Sequence, residues 1–312
     1  MFKNILGQQK AVLSLQTQLR TNRIAQAYLF AGPEGVGRKK TAIEVAKALN
    51  CRDKEQIEPC DECPSCRKID KNIHPDVHLI DFAWQAGLLE EKPEQQTQIK
   101  IDVIREIQRE ISLKRFEGNY KVFIIDQAEK MSQSAMNCLL KTLEEPPENS
   151  LLILVTTSQD MLTQTIISRC QIIKFNRLMD SVVHKILTEK FNLSTNLDRI
   201  TKFANGSVAK ASSEDFIEKT EFVNELWSGL KSKEDDTINL LELSKKISHD
   251  SEQTKEFINN LLILIEQDLV NESRFSKVAE FILSCKRALR YNVNLNLLTD
   301  VLLLKTQEII CR

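Results

Sequence analysis

Glycine and proline are scarce in this chain, 8 and 7 in 312 residues, and they concentrate in the first half. That distribution predicts a loop-rich α/β front and an all-helical back. No apolar run reaches the roughly 20 residues needed to span a bilayer. The first residues, Met1-Phe-Lys-Asn-Ile-Leu-Gly7, carry no apolar core of a secretory signal. These absences lead to the expectation of a soluble, cytoplasmic protein with no membrane partner. Charge is nearly balanced, at −1, so no global field draws the chain to nucleic acid. Repeats and low-complexity segments are missing too. What is present is 42% hydrophobic residues, enough for real cores, in a length that suits two or three domains.

The most informative stretch is Phe30-Ala-Gly-Pro-Glu-Gly-Val-Gly-Arg-Lys-Lys-Thr41. An apolar strand, a Gly-rich loop and a helix form the frame of a phosphate-binding loop, whose consensus is G-x-x-x-x-G-K-[ST]. Gly32 and Gly37 have the right separation, with Gly35 between them. Arg38 stands in place of the lysine that reaches the β/γ-phosphates, and Lys39 in place of the hydroxyl that holds Mg²⁺. An ammonium repels a metal cation. The nucleotide-binding shape is kept and the groups that perform chemistry are altered, so ATP as a ligand is left open.

Next come Cys51, Cys60, Cys63 and Cys66. Four thiolates at this spacing can close a tetrahedral zinc site, structural because no position stays open. Disulfides and Cys-x-x-Cys redox chemistry are the rivals; an intracellular setting and the interlocked spacing favour the metal. His74 and His78 read as surface and strand residues, not ligands. Ala83 to Lys100 is polar around Pro93 and reads as a loop.

Lys121-Val-Phe-Ile-Ile-Asp126 is a buried strand ending in an acid, where nucleotide-binding folds orient Mg²⁺. Gln127 then falls where a water-polarising acid is needed, and an amide cannot accept the proton. Met131 to Glu145 is a helix ended by Pro146-Pro147. Ser150 to Thr157 is a core strand with two hydroxyls at its end. Ser168-Arg169-Cys170 precedes the strand Gln171 to Phe175; by itself such an arginine reads as a solvated or capping residue.

Taken in order, several stretches resemble the bacterial clamp-loader AAA+ proteins. They are Ile5-Leu-Gly-Gln8, Arg23-Ile-Ala-Gln-Ala-Tyr-Leu-Phe30, Gly32-Pro-Glu-Gly-Val-Gly37, the four-cysteine insertion, Phe123-Ile-Ile-Asp-Gln-Ala-Glu129, Asn137-Cys-Leu-Leu-Lys-Thr-Leu-Glu-Glu-Pro-Pro147 and Ser168-Arg-Cys170. The resemblance covers about the first 175 residues. It implies an AAA+ nucleotide-binding-like domain over 1–177 with a zinc module at 51–66, a helical lid over 178–212 and a C-terminal helical collar over 213–312. It implies that Arg169 reaches ATP on a neighbouring subunit. It also places a sensor hydroxyl at Thr156 or Thr157 and a second sensor arginine in a Gly-Ser-x-Arg pattern. Here the sequence is Gly206-Ser-Val-Ala-Lys210, without that arginine.

Two subunit types of DNA polymerase III compete within that resemblance: the ATP-hydrolysing gamma/tau type and the delta-prime type with a degraded ATP site. Arg38, Lys39, Gln127 and the chain length favour delta-prime, hence no intrinsic ATPase. Partners would be gamma/tau and delta subunits, with the sliding clamp and primer-template DNA reached through the assembly. A zinc-dependent nucleic-acid-binding module is the rival from another class, but Glu55, Glu58, Asp61 and Glu62 surround the cysteines. The back half carries five amphipathic stretches between Phe216 and Ile310. The clearest joins Val278, Phe281, Ile282, Cys285 and Leu289 at helical spacing.

Overall fold

The computed structural model describes residues 2–53, 58–193, 197–231, 237–247, 251–269, 274–289, 291 and 293–311. The chain divides into two compact units, Met1–Val182 and Val183–Arg312.

The first unit is built on five strands: β1 (Ala27–Ala31), β2 (Val77–Ile80), β3 (Lys121–Ile125), β4 (Ser150–Thr156) and β5 (Gln171–Lys174). They form one parallel sheet in the order β2-β3-β4-β1-β5. Every residue of β1, β3 and β4 is buried. That explains their sequences, which are continuous apolar runs instead of alternating ones: a parallel strand covered on both faces has no wet side. The edge strand β5 instead reads exposed, exposed, buried, exposed, and ends in Lys174, which discourages edge pairing.

The helices of this unit are α1 (Gln9–Arg20), α2 (Arg38–Asn50), α3 (Pro64–Asp70), α4 (Phe82–Leu89), α5 (Ile101–Ser112), α6 (Gln133–Glu144) and the single turn α7 (Gln164–Ile167). Helix α5 buries Ile104, Ile107 and Ile111, the periodic isoleucines, in a core shared with Leu29, Ile125, Leu154 and Leu139. Each such side chain contributes about 1.5–3 kcal/mol when fully buried. Helix α6 is capped by Ser132, whose hydroxyl accepts from Ala135 N, and stops before Pro146-Pro147.

Two local expectations are corrected. The stretch Ala83 to Lys100 is not all loop, because α4 occupies its start. Asp81 caps that helix by accepting from Trp84 N, and Glu90, at φ 56°, ends it. His74 is not a surface residue: it is 3% exposed, because α3 folds over it. Asp76 N donates to its Nδ1 at 3.1 Å, and its Nε2 lies 3.2 Å from Ser65 Oγ. Burial pulls the imidazole pKa down, so the ring is neutral and Nε2 carries the proton.

Helix α8 (Asp180–Phe191) carries the chain across the boundary. The second unit continues with α9 (Leu197–Ala204), α10 (Val208–Ala211), α11 (Glu214–Lys231), α12 (Thr237–Ile247), α13 (Ser251–Leu269), α14 (Arg274–Ala288) and α15 (Leu295–Cys311). No strand occurs there among the described residues. Asn205 and Gly206, both at positive φ, break α9 from α10. Of the α14 stripe, Val278, Ile282 and Cys285 are buried, and Phe281 and Leu289 are half-buried. No helix among the described residues is long and apolar enough to cross a membrane.

Candidate functional site

The Gly-rich loop leaves the carboxyl end of β1, in the middle of the sheet, where ligand crevices of parallel sheets open. Gly32 N donates to Thr156 O at 3.3 Å. A Cβ at position 32 would sit 2.3 Å from Phe175 O, so only glycine fits. Gly35 and Gly37 have φ of 73° and 96°. A Cβ at Gly37 would meet nothing, so the left-handed dihedral sets the requirement there, not space. Gly37 is the N-cap of α2 and no side chain caps it, which leaves the amides of the first turn available to an anion. Thr41 turns inward, its Oγ1 donating to Gly37 O at 2.8 Å.

The two substituted positions take up defined places. Lys39 Nζ lies 3.1 Å from Asp126 Oδ2 and 3.5 Å from Asp81 Oδ2. Asp126 Oδ1 accepts from Gln127 N at 3.1 Å, so both oxygens of the strand-end acid are engaged. Mg²⁺ does not fit this donor set. The hydroxyl ligand is replaced by an ammonium, and that ammonium sits on the carboxylate which would serve the metal. Arg38 is 8% exposed, and its Nη1 is buried without a hydrogen-bond partner. Burial pulls the guanidinium pKa down, and the nearby charges of Glu129, Asp126 and Glu34 oppose this.

Asp81 and Glu129 were not picked out by the sequence as parts of this site. Glu129 Oε1 accepts from Thr157 N at 3.1 Å and also from Thr157 Oγ1. Burial pushes the Glu129 carboxyl up, but the hydrogen bonds from Thr157 outweigh it and hold the carboxyl below its ordinary range. Thr156 Oγ1 donates to Ser158 O at 2.9 Å. Each sensor-position hydroxyl therefore already has an internal acceptor. The structure thus gathers Gly32, Gly35, Gly37, Arg38, Lys39, Asp126 and Thr157 around the ends of β1, β3 and β4. In the second unit Lys210 Nζ pairs with Glu256 Oε1 at 3.3 Å.

Arg169 follows α7. Its Nη1 donates to Thr165 O at 3.0 Å, and its Nη2 to Glu144 Oε1 at 2.6 Å. Glu144 is the last residue of α6, inside the Leu-Lys-Thr-Leu-Glu-Glu-Pro-Pro run. The arginine thus lies at an accessible edge, its side chain 35% exposed and bonded to one backbone carbonyl and one exposed carboxylate.

The four cysteine sulfurs lie within 4.8 Å of one another. Cys51 Sγ is 3.4 Å from Cys60 Sγ and 4.0 Å from Cys63 Sγ. Ligands at about 2.3 Å around a tetrahedral zinc stand about 3.8 Å apart, so the set fits a metal of that kind. Backbone amides support the sulfurs: Cys60 N donates to Cys51 Sγ, Cys63 N to Cys60 Sγ and Cys66 N to Cys63 Sγ. Burial pushes the Cys63 thiol up, but amides of Arg52 and Cys66 prevail and bring it down to about 6. Burial also raises Cys51 and Cys66. No histidine joins the cluster among the described residues. Of the surrounding acids, Glu55 lies outside the described residues.

The cysteine loop is tied to α2 through Lys47, which is 2% exposed. Its ammonium meets Glu44 Oε1 at 3.2 Å, Asp70 Oδ1 at 3.1 Å and Asp61 Oδ1. Burial works against the charge, but Asp61, Asp70 and Glu44 hold its pKa well above the ordinary lysine value. Asn4 Nδ2 joins the same group through Glu44 and Asp61.

Against known proteins, residues 7–179 match the family model described as DNA polymerase III, delta subunit. The chain is 38% identical over 182 residues to DNA polymerase III subunit tau of Bacillus subtilis, covering 58% of this chain and 30% of that one. It is 33% identical over 204 residues to DNA polymerase III subunit delta' of the same organism, covering 65% of this chain and 58% of that one. The chain therefore spans between about a third and three fifths of the length of these curated relatives. A solved structure of a DNA polymerase III gamma subunit-related protein of Thermotoga maritima aligns with a TM-score of 0.47 and 19% identity, over 95% of this chain and 99% of that one.

Proposed function

Because the chain belongs to the DNA polymerase III, delta subunit family of clamp-loader proteins, we propose that it is the non-hydrolysing, delta-prime-type subunit of a bacterial sliding-clamp loader. The observation that carries this reading is the ion pair of Lys39 with Asp126, 3.1 Å apart. A site whose metal-orienting acid is engaged by its own lysine lacks the cation that phosphoryl transfer requires. Gln127 adds the loss of the water-polarising acid.

In this reading Arg169 serves ATP held on a neighbouring gamma/tau-type subunit, where a forked, permanently charged guanidinium stabilises the transferring phosphate. Its exposed position at the end of α7 supports that role. The four cysteines hold a structural zinc. Residues 178–212 act as the lid and 213–312 as the collar through which gamma/tau and delta partners assemble. Leu297, at 63% exposed, and Tyr291, at 75%, leave apolar surface there for such contacts. The sliding clamp and primer-template DNA are engaged by the assembly.

The gamma/tau-type reading is the alternative, since a tau relative matches as well as a delta' relative does. ATP turnover by the isolated chain separates the two. The proposal requires none above background; steady turnover abolished by Asp126→Ala would establish the gamma/tau type.

A further inference from the structure

The loop has lost a metal site without losing its means of holding an anion. Helix α2 is 13 residues long and starts at an uncapped left-handed glycine. Its first residue, Arg38, is more than nine-tenths buried with one guanidinium nitrogen unpartnered. A buried charged donor without an acceptor is costly, and an oxyanion at the loop would supply one. The charges around Arg38 are Glu34 in the loop and Asp126 and Glu129 at the strand ends. Lys39 has three ammonium donors. Its ammonium lies 3.1 Å from Asp126 Oδ2 and 3.5 Å from Asp81 Oδ2, and the side chain is 40% exposed, within reach of a ligand at the loop.

We propose that the Gly32–Lys39 loop binds a triphosphate without a divalent metal, the Lys39 ammonium standing in the place of Mg²⁺. A tethered monovalent cation neutralises phosphate charge and bridges it to Asp126. It cannot act as the Lewis acid that stabilises a leaving phosphate, so binding is uncoupled from hydrolysis. The inference rests on the loop being a phosphate cradle and is independent of Arg169. The triphosphate itself is the shared chemistry; a nucleoside attached to it is tested separately.

The experiment is calorimetric titration of the full zinc-loaded chain with ATP and with inorganic tripolyphosphate, each in chelator-free buffer without Mg²⁺ and in excess Mg²⁺, with zinc content checked in both. The expected result is saturable binding without Mg²⁺ at least as tight as with it. Tighter binding of ATP than of tripolyphosphate supports a nucleotide ligand; equal binding supports a bare polyphosphate. Lys39→Thr should weaken binding without Mg²⁺ at least tenfold and make the remainder depend on Mg²⁺. Lys39→Gln, polar and uncharged with a side chain one atom shorter, should weaken binding similarly and guards against a folding defect in the first variant. No binding in either condition, or wild-type binding that requires Mg²⁺, overturns the inference. Turnover in the same samples keeps the readings apart. Metal-dependent binding without turnover overturns this inference alone, whereas turnover overturns the non-hydrolysing assignment.

Discussion

Arg169 and Glu144, 25 residues apart in sequence, meet through a 2.6 Å contact between Nη2 and Oε1. The acid closes α6, and the arginine follows α7, so the pair joins the Leu-Glu-Glu-Pro-Pro run to the Ser-Arg-Cys segment. An exposed pair of this kind contributes little to stability, about 0–1 kcal/mol. Its value lies in restricting a long, flexible side chain to one direction.

Glu144→Gln is therefore expected to leave the melting temperature nearly unchanged. In an assembled loader it should lower ATP turnover by less than removal of Arg169 does, because the arginine keeps its charge and loses only its orientation. Full turnover at every ATP concentration would show that Glu144 does not position the arginine.

Metal removal should act on the cysteine module. Freshly purified, reduced protein is expected to contain about one zinc per chain, the number for one four-thiolate site. Cys63→Ser should lower that content and the melting temperature together, since a structural metal adds its binding energy to folding. Metal analysis of reduced protein showing none contradicts the zinc assignment.

Lys47→Met tests how the module is fastened to α2. Removing the ammonium leaves Glu44, Asp61 and Asp70 facing one another. A fully buried pair broken this way costs about 3–5 kcal/mol; since Asp61 and Asp70 are partly exposed, about 1–3 kcal/mol is expected. Denaturant unfolding measures it, and a neutral result would show that solvent screens the cluster.

Asp76 governs an acid-side dependence. Burial pushes its carboxyl up, but amides of Phe116, Glu117 and Gly118 more than compensate and hold it below its ordinary range. All three donate at 2.7–2.8 Å. A depressed folded value means stability that is full above the unfolded value, about 4, and is lost as the pH falls through the folded one. Asp76→Asn should cost about 1.5–3 kcal/mol at neutral pH. The deficit should shrink as the pH falls below about 4. A deficit independent of pH would assign the loss to packing.

The sheet was legible because buried parallel strands leave an unmistakable record: Ala27-Tyr-Leu-Phe-Ala31 and Leu151-Leu-Ile-Leu-Val155 are apolar throughout. Helices α12 and α8 could be bounded from periodicity, and the cysteine spacing identified its cluster. Helix α4 was obscured because Pro93 and the polar residues around it dominate the window, while the local signal, Asp81 as an N-cap, comes before it. The burial of His74 depends on α3, which begins at Pro64 and is capped by Cys63. The partners of Lys39 come from the ends of two strands 45 residues apart, Asp81 and Asp126, and only the sheet order β2-β3 brings them together. Glu144 lies within the Leu-Lys-Thr-Leu-Glu-Glu-Pro-Pro run, but its pairing with Arg169 depends on how α6 and α7 pack. Glu129 offered only an acid three residues beyond a strand end; its hold on Thr157 follows from β3 lying beside β4.

The most direct measurement concerns Arg169 in an assembled loader made from this chain, gamma/tau-type and delta-type subunits, a sliding clamp and primed DNA. With Arg169→Ala, zinc content, folding and assembly should be those of the wild type, because the residue is exposed and its pair with Glu144 contributes little to stability. DNA-stimulated ATP turnover and clamp loading should fall. The fall should be smaller than the ~10³–10⁵ that an arginine finger provides at a single site, since only one of several sites loses it. Arg169→Lys should restore little, lacking the planar fork. A variant that assembles normally and retains full turnover and clamp loading contradicts the account, and Arg169 is then no more than a solvated arginine paired with Glu144.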